Sequence, residues 1–386
     1  MNSQIPHNPK RNKTFHPSHI PIKPNATLHP VPTHITGPLP FLNPTKAHYH
    51  IPSHPDIRFK WTSRNDRKGR HAISINHTSN SANGTTPRPT TSLHTILRNI
   101  WKMATYYPVW DLSFCVAYVF TIGSVLWILN AFFVFLPLVQ PQTELEGEEL
   151  YGGGIAAFIG ATVFEVGSVL LLVEAVNEGR SGCFGWAVER AFEGEEEEIG
   201  VRLEKGGCGH AHKRGEGEGD EKGERRKWVW WPAREELQRH YIHNLGFLAS
   251  LAQFVGATIF WVAGFTALPG IYDNMSKTVT IVFYWTPQVV GGLGFIISGL
   301  LFMIETQRKW WKPAPRVLGW WIGALNLIGG VGFTLCPAFG YDNSSWAQYQ
   351  ACLSTFWGSW AFMIGSTLQW YESLEKFPVE VNKSVR

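Results

Sequence analysis

One fifteen-residue pattern occurs three times, at Gly160–Glu174, Gly291–Glu305 and Gly358–Glu372. Each copy opens on Gly and a small residue. Phe follows four after the Gly, Gly or Ser at seven, a small residue at eight, Leu at ten and Glu at fourteen. The residues between are almost all apolar. Positions zero, seven and fourteen share one helix stripe, with only about 20° of drift per heptad. Each copy is therefore predicted as a helix with a small-residue seam and a carboxylate at its far end. A partner precedes each copy: Leu112, Phe114 and Gly123 match Leu245, Phe247 and Gly256, and again Leu318, Trp320 and Gly329. The repeating unit is a helical hairpin.

The helices are too apolar for water. Six apolar spans fall at roughly 112–137, 152–176, 243–267, 281–305, 317–338 and 351–372, each near the ~20 residues that cross a hydrocarbon core. The mean hydropathy of the chain is near zero only because a polar N-terminal third and a charged insert dilute these spans. Of the 34 Lys and Arg, all but Lys277 lie before span one, after span six, or in the loops between spans two and three and spans four and five. The positive-inside rule then puts both termini in the cytosol. The expected fold is an all-α membrane protein, with six transmembrane helices as three homologous helical hairpins, a disordered N-terminal region and a cytosolic insert. The expected divisions are a mostly disordered tail at 1–105, an interfacial segment and first hairpin at 106–176, and a charged insert at 177–242. Hairpins at 243–305 and 306–373 and a cytosolic tail at 374–386 complete the chain. The net charge of +4 tracks topology, so nucleic acid is not an expected partner. The expected partners are the lipid bilayer, a small solute or cation, and proteins that meet the tail or insert. The secretory pathway or plasma membrane is the favoured location.

Smaller signals follow from that topology. Asn274 and Asn343 head sequons in loops on the non-cytosolic side and are candidate N-glycosylation sites. Cys336 and Cys352 flank the loop holding Asn343, which suggests a disulfide in an oxidising lumen. The loop at 138–151 carries Glu144, Glu146, Glu148 and Glu149, either a cation-attracting mouth or a solvated acidic turn, the turn preferred. Eleven of the fifteen His lie before span one, in a stretch too polar to offset ordering entropy up to about Thr90. They show no metal-ligand spacing, and Cys208, His210 and His212 of the insert lack a second ligand pair. No metal or cofactor is expected. Leu93, Ile96, Leu97, Ile100 and Trp101 share one helix face, which predicts an amphipathic segment at the interface.

Glu165 is the sharpest polar candidate. It falls mid-span, where a charge costs at least ~2.5 kcal/mol, so it is expected to face the bundle interior. It reads either as a proton or cation site with Gln253 or Asn326, or as a protonated carboxyl hydrogen-bonded between helices. Glu174, Glu305 and Glu372 read either as a carboxylate ring at a cytosolic pore mouth or, preferred, as interfacial caps. Lys309 and Lys376 stand at i+4 from the last two. The Gly/Ser seam fits close helix approach rather than phosphate binding. No triad, Walker loop or zincin motif is present, so an enzyme is not expected.

Phe120–Trp127, Gly160–Ser168 and Cys183–Trp186 together resemble a group of multi-pass fungal integral membrane proteins, and the hairpins resemble the YrhK-like two-helix domain. The resemblance covers about 105–375. It implies membrane location and a fungal origin and carries no activity. The function expected is a non-enzymatic small-solute or ion pathway. The alternatives are a membrane-organising scaffold and a membrane-embedded enzyme.

Overall fold

The computed structural model describes residues 29–30, 35–50, 57–76, 89–185, 187–188 and 228–382. Six long helices dominate it: α3 Leu112–Val139, α4 Gly154–Val176, α5 Leu245–Thr266, α6 Thr286–Glu305, α7 Leu318–Gly340 and α8 Ser345–Leu374. They follow α1 Ser63–Arg67 and α2 Leu93–Thr105. Each long helix packs against its chain neighbours, and α8 closes the ring onto α3. Five helical stretches, namely α3, Glu148–Val176, α5, Lys277–Glu305 and α7, are long and apolar enough to cross a membrane. The 30-residue α8 joins the same ring and carries more polar side chains, among them Gln348, Gln350, Gln369 and Glu372.

Local chemistry sets the helix ends. Asp111 starts α3 by accepting from the Ser113 and Phe114 amides, and Asn244 starts α5 by accepting from Phe247. Such caps satisfy amides that have no partner inside the helix. Small residues set the interhelix spacing. A Cβ on Gly256 would lie 2.8 Å from the Gly291 carbonyl, and one on Gly291 would lie 2.6 Å from the Gly256 carbonyl. Backbones this close require glycine on both helices.

The centre of the ring is aromatic. Trp127, Phe260 and Phe333, each four after the glycine of its helix, form one triad with centroid distances of 5.7, 4.9 and 5.8 Å. Phe164, Phe295 and Phe362 form a second, with distances of 6.5, 5.5 and 6.1 Å. The triads touch through Trp127–Phe164, Phe260–Phe295 and Phe333–Phe362. All six side chains are buried.

A five-stranded sheet lies outside this ring, in the order β1 His29–Pro30, β2 Lys46–His50, β3 Ile57–Thr62, β4 Ala72–Asn76 and β5 Val379–Asn382. The first three pairings are antiparallel, and β4 pairs parallel with β5. The expected disorder up to Thr90 is thereby corrected for the described residues. Strand β3 alternates apolar and polar residues, and its Phe59 and Trp61 stand opposite Tyr49 and Ala47 of β2. Ala47, Tyr49 and Trp61 are buried together. The composition of the tail is too polar to hold a fold alone. Its outer strand comes from the far end of the chain, and its cations meet the carboxylates described below. The Cys208, His210 and His212 set lies outside the described residues. Among those described, no group of three His, Cys, Asp or Glu is placed to hold a metal.

Candidate functional site

The strand β3 runs into α1, whose first turn is capped by the Thr62 hydroxyl accepting from the Asn65 amide at 3.1 Å. This short helix and the turn after it carry Arg64, Arg67, Lys68 and Arg70 into the end of the six-helix ring. Glu174, Glu305 and Glu372 converge there from α4, α6 and α8. Arg67 grips Glu305 as a fork, Nη1 to Oε1 at 2.8 Å and Nη2 to Oε2 at 3.0 Å. Ser63 Oγ donates to the same Glu305 Oε1 at 2.8 Å. Arg64 holds Glu372 through Nη2 at 2.6 Å and Nε at 3.1 Å, and Arg70 Nη1 reaches Glu372 Oε1 at 2.9 Å. Glu174 is held more loosely, with Arg67 Nε at 3.7 Å and Lys68 Nζ at 3.8 Å. Bidentate guanidinium–carboxylate pairs of this kind combine charge with fixed geometry.

All three carboxylates and Arg64, Arg67 and Lys68 are buried. Burial opposes the charge of Arg67, but Glu305 beside it holds the guanidinium above its ordinary value. Burial pushes the Lys68 ammonium down to about 8, against the pull of Glu174. The odd-numbered helices make room for these cations. A Cβ on Gly246 would overlap the Arg67 guanidinium, and one on Gly319 would lie 2.6 Å from Arg64 Nε. The backbone carbonyl of Lys68 accepts from Lys376 Nζ at 2.9 Å, and Lys376 also pairs with Asp111 at 2.6 Å.

Two cavities flank the aromatic triads. The smaller, about 30 Å³, lies under the cluster and is lined by Glu174, Gln253, Asn326, Ser298, Ser366 and Gln369. That is room for about two water molecules. Glu174 Oε1 and Oε2, Arg67 Nε and Lys68 Nζ have no hydrogen-bond partner among the described residues. The larger, about 840 Å³, lies on the other side of the triads and is lined by Trp127, Phe260 and Phe333 at its floor. Its wall carries Glu144, Glu148, Glu149, Asp273 and Asp342 against one cation, Lys277.

The structure brings together some of the sequence-derived candidates and separates others. Glu174, Glu305 and Glu372 meet, but not with the expected i+4 lysines: Lys376 takes Asp111, and Lys309 lies over the Trp311 ring at 5.4 Å. Gln253 and Asn326 share the small cavity, and Glu165 is not among its lining residues. The Glu165 carboxylate accepts from Thr258 Oγ1 at 2.9 Å between α4 and α5. One residue of helix rotation, about 100°, turns position 165 away from the inward-facing Phe164. Cys336 and Cys352, the expected disulfide pair, are both free thiols in this structure. Asn274 and Asn343 are both exposed.

The four cations of the cluster were missed by the sequence reading, because low apolar content marked their segment as unstructured. The available signal was Arg64-Asn65-Asp66-Arg67-Lys68-Gly69-Arg70, directly after an alternating strand. Three carboxylates at one repeat position need such a partner if they are buried. No family model, curated protein or solved structure matches the chain.

Proposed function

We propose that the protein is a multi-pass membrane protein that provides a closed axial pathway for small cations. In this reading six spans form three homologous hairpins with both termini in the cytosol, the side on which all Lys and Arg but Lys277 then lie. The observation that carries it is the column along the ring. An acidic vestibule leads to two aromatic triads, a polar cavity follows, and three carboxylates end the column at the opposite mouth. Their countercharges come from α1 and the turn after it, which are not part of the ring. The acidic vestibule favours cations at one entrance, the triads form a hydrophobic constriction, and α1 occupies the other mouth. The reading is non-enzymatic.

The test is thiol access in a background cleared of native cysteines, with Gln253→Cys, Asn326→Cys and Asn130→Cys compared in a bilayer. Reaction of position 253 or 326 with a water-soluble reagent supports the pathway. Reaction at 130 alone, with 253 and 326 inert, overturns it. A scaffold without transport is the second reading, favoured by the dense aromatic centre and by Thr258 as the hydrogen-bond partner of Glu165 among the described residues.

A further inference from the structure

The helix α2 is amphipathic with its faces reversed relative to a helix that covers a core. Leu93, Leu97 and Trp101 are 78%, 65% and 70% exposed, and Ile100 is exposed as well. Its polar side faces the protein instead, with Thr95 and Asn99 buried. In water this arrangement leaves a contiguous apolar stripe uncovered, which monomeric proteins avoid. The stripe sits one short linker before α3, beside exposed Tyr106, Tyr107 and Val109. It therefore continues onto a helix whose own outward residues, Ile122, Val125, Leu129 and Phe132, are exposed and apolar.

The polar side is fixed. Asn99 Nδ2 donates to Glu375 Oε2 at 2.6 Å. The Glu375 carbonyl in turn accepts from Arg70 Nε at 2.8 Å. Before the helix, the Thr90 amide donates to the Val379 carbonyl, and the Thr90 hydroxyl accepts from the Val379 amide. The helix is thus clamped to the sheet and to the carboxylate cluster on its polar side, while Leu93, Leu97, Ile100 and Trp101 stay exposed among the described residues.

We propose that α2 is a bilayer-docking surface, and that its occupant is a lipid surface. Leu93, Leu97, Ile100 and Trp101 enter the boundary between headgroups and acyl chains, in the leaflet on the side of the Glu/Arg cluster. Arg98 and Lys102, one turn apart and off the apolar stripe, meet anionic headgroups there. An in-plane helix buries its apolar face only about 5–10 Å into that boundary, which suits a 13-residue helix tied down on its other side. Docking through α2 also fixes the height of the Arg cap relative to the membrane. The proposal does not depend on the axial pathway.

The experiment uses the full chain in nanodiscs, cleared of native cysteines, with a nitroxide at Leu97→Cys, Ile100→Cys or Arg98→Cys. Collision with oxygen, which favours lipid, is compared with collision with a water-soluble nickel chelate. The expected result is an oxygen-to-nickel ratio several-fold higher at 97 and 100 than at 98. Nickel access at 97 equal to that at 98 would place the helix in water and overturn the proposal. Shielding of 97 from both reagents would mean that protein covers the stripe, and would overturn it too. All three positions are exposed, so folding is not at stake, and elution as a single species controls for it. Adding phosphatidylserine to phosphatidylcholine should deepen position 97 in the wild-type background and not in an Arg98→Glu, Lys102→Glu background. An equal response in both would remove the anionic-headgroup contact.

Discussion

The carboxylate cluster is where single side chains decide most. Removing one partner of a buried ion pair leaves the other charge desolvated and unpaired, at a cost of about 3–5 kcal/mol. Arg67→Ala should therefore lower the unfolding midpoint markedly, because it leaves the buried Glu305 carboxylate without its guanidinium. Arg67→Met with Glu305→Gln should cost less than the sum of its parts, and a double-mutant cycle on thermal unfolding in detergent measures the difference. Gly246→Val should act on the same contact from the other side, since any Cβ there displaces the guanidinium. It should destabilise where Gly182→Val, in open space, does not. Lys68 supplies a pH test with a definite sign. Its folded-state value is lowered from 10.5 to about 8, so from about 8 to 10.5 the unfolded chain holds a proton that the folded chain has released. Stability must rise with pH across that window, relative to Lys68→Met. A flat difference between the two would mean that Glu174 keeps the ammonium charged.

At the scale of elements, the long helices were legible and the cap was not. Helix periodicity and Gly spacing are local signals, and the predicted helices match α3 to α8 to within a few residues at most ends. The larger departures have physical causes. The helix placed at 351–372 is α8, 30 residues from Ser345 to Leu374, because the Ser344 hydroxyl caps it well before the apolar run begins. Strand β5 could not be read at all, since four residues after a long helix pair only with β4, some 300 positions earlier in the chain. Deleting Val379–Asn382 should open that edge and raise protease cleavage in 35–76, while the six-helix ring persists. Limited proteolysis with mass mapping checks this. Cys336 and Cys352 are free thiols on the wall of the larger cavity. Both thiols should label after denaturation without a reductant.

For the whole molecule, the six-helix ring places like positions of the pattern around one centre. The Phe at position four becomes the inner triad, and the Glu at fourteen becomes the cluster. Phe295→Ala should remove a buried ring at about 3–5 kcal/mol and thin the barrier between the two cavities. If the column is a pathway, proteoliposomes carrying this variant should leak potassium faster than wild type. Unchanged leak in a folded variant would favour the scaffold.

The sequence by itself determined the apolar helices, their order, the small-residue seams and three carboxylates at equivalent places. Those are periodic properties, set by 3.6 residues per turn and by what hydrocarbon tolerates. Only the tertiary structure decided that the polar tail becomes a cap and that Arg64 and Arg67 answer Glu372 and Glu305. It also decided that Glu165 turns outward to Thr258 while Gln253 and Asn326 meet. The reason is one of distance along the chain: a buried charge is stabilised by its partner, and here the partners lie hundreds of residues apart. No local pattern encodes such a meeting. It follows from closing the ring, which brings three helix ends together and leaves room for one short cationic helix among them.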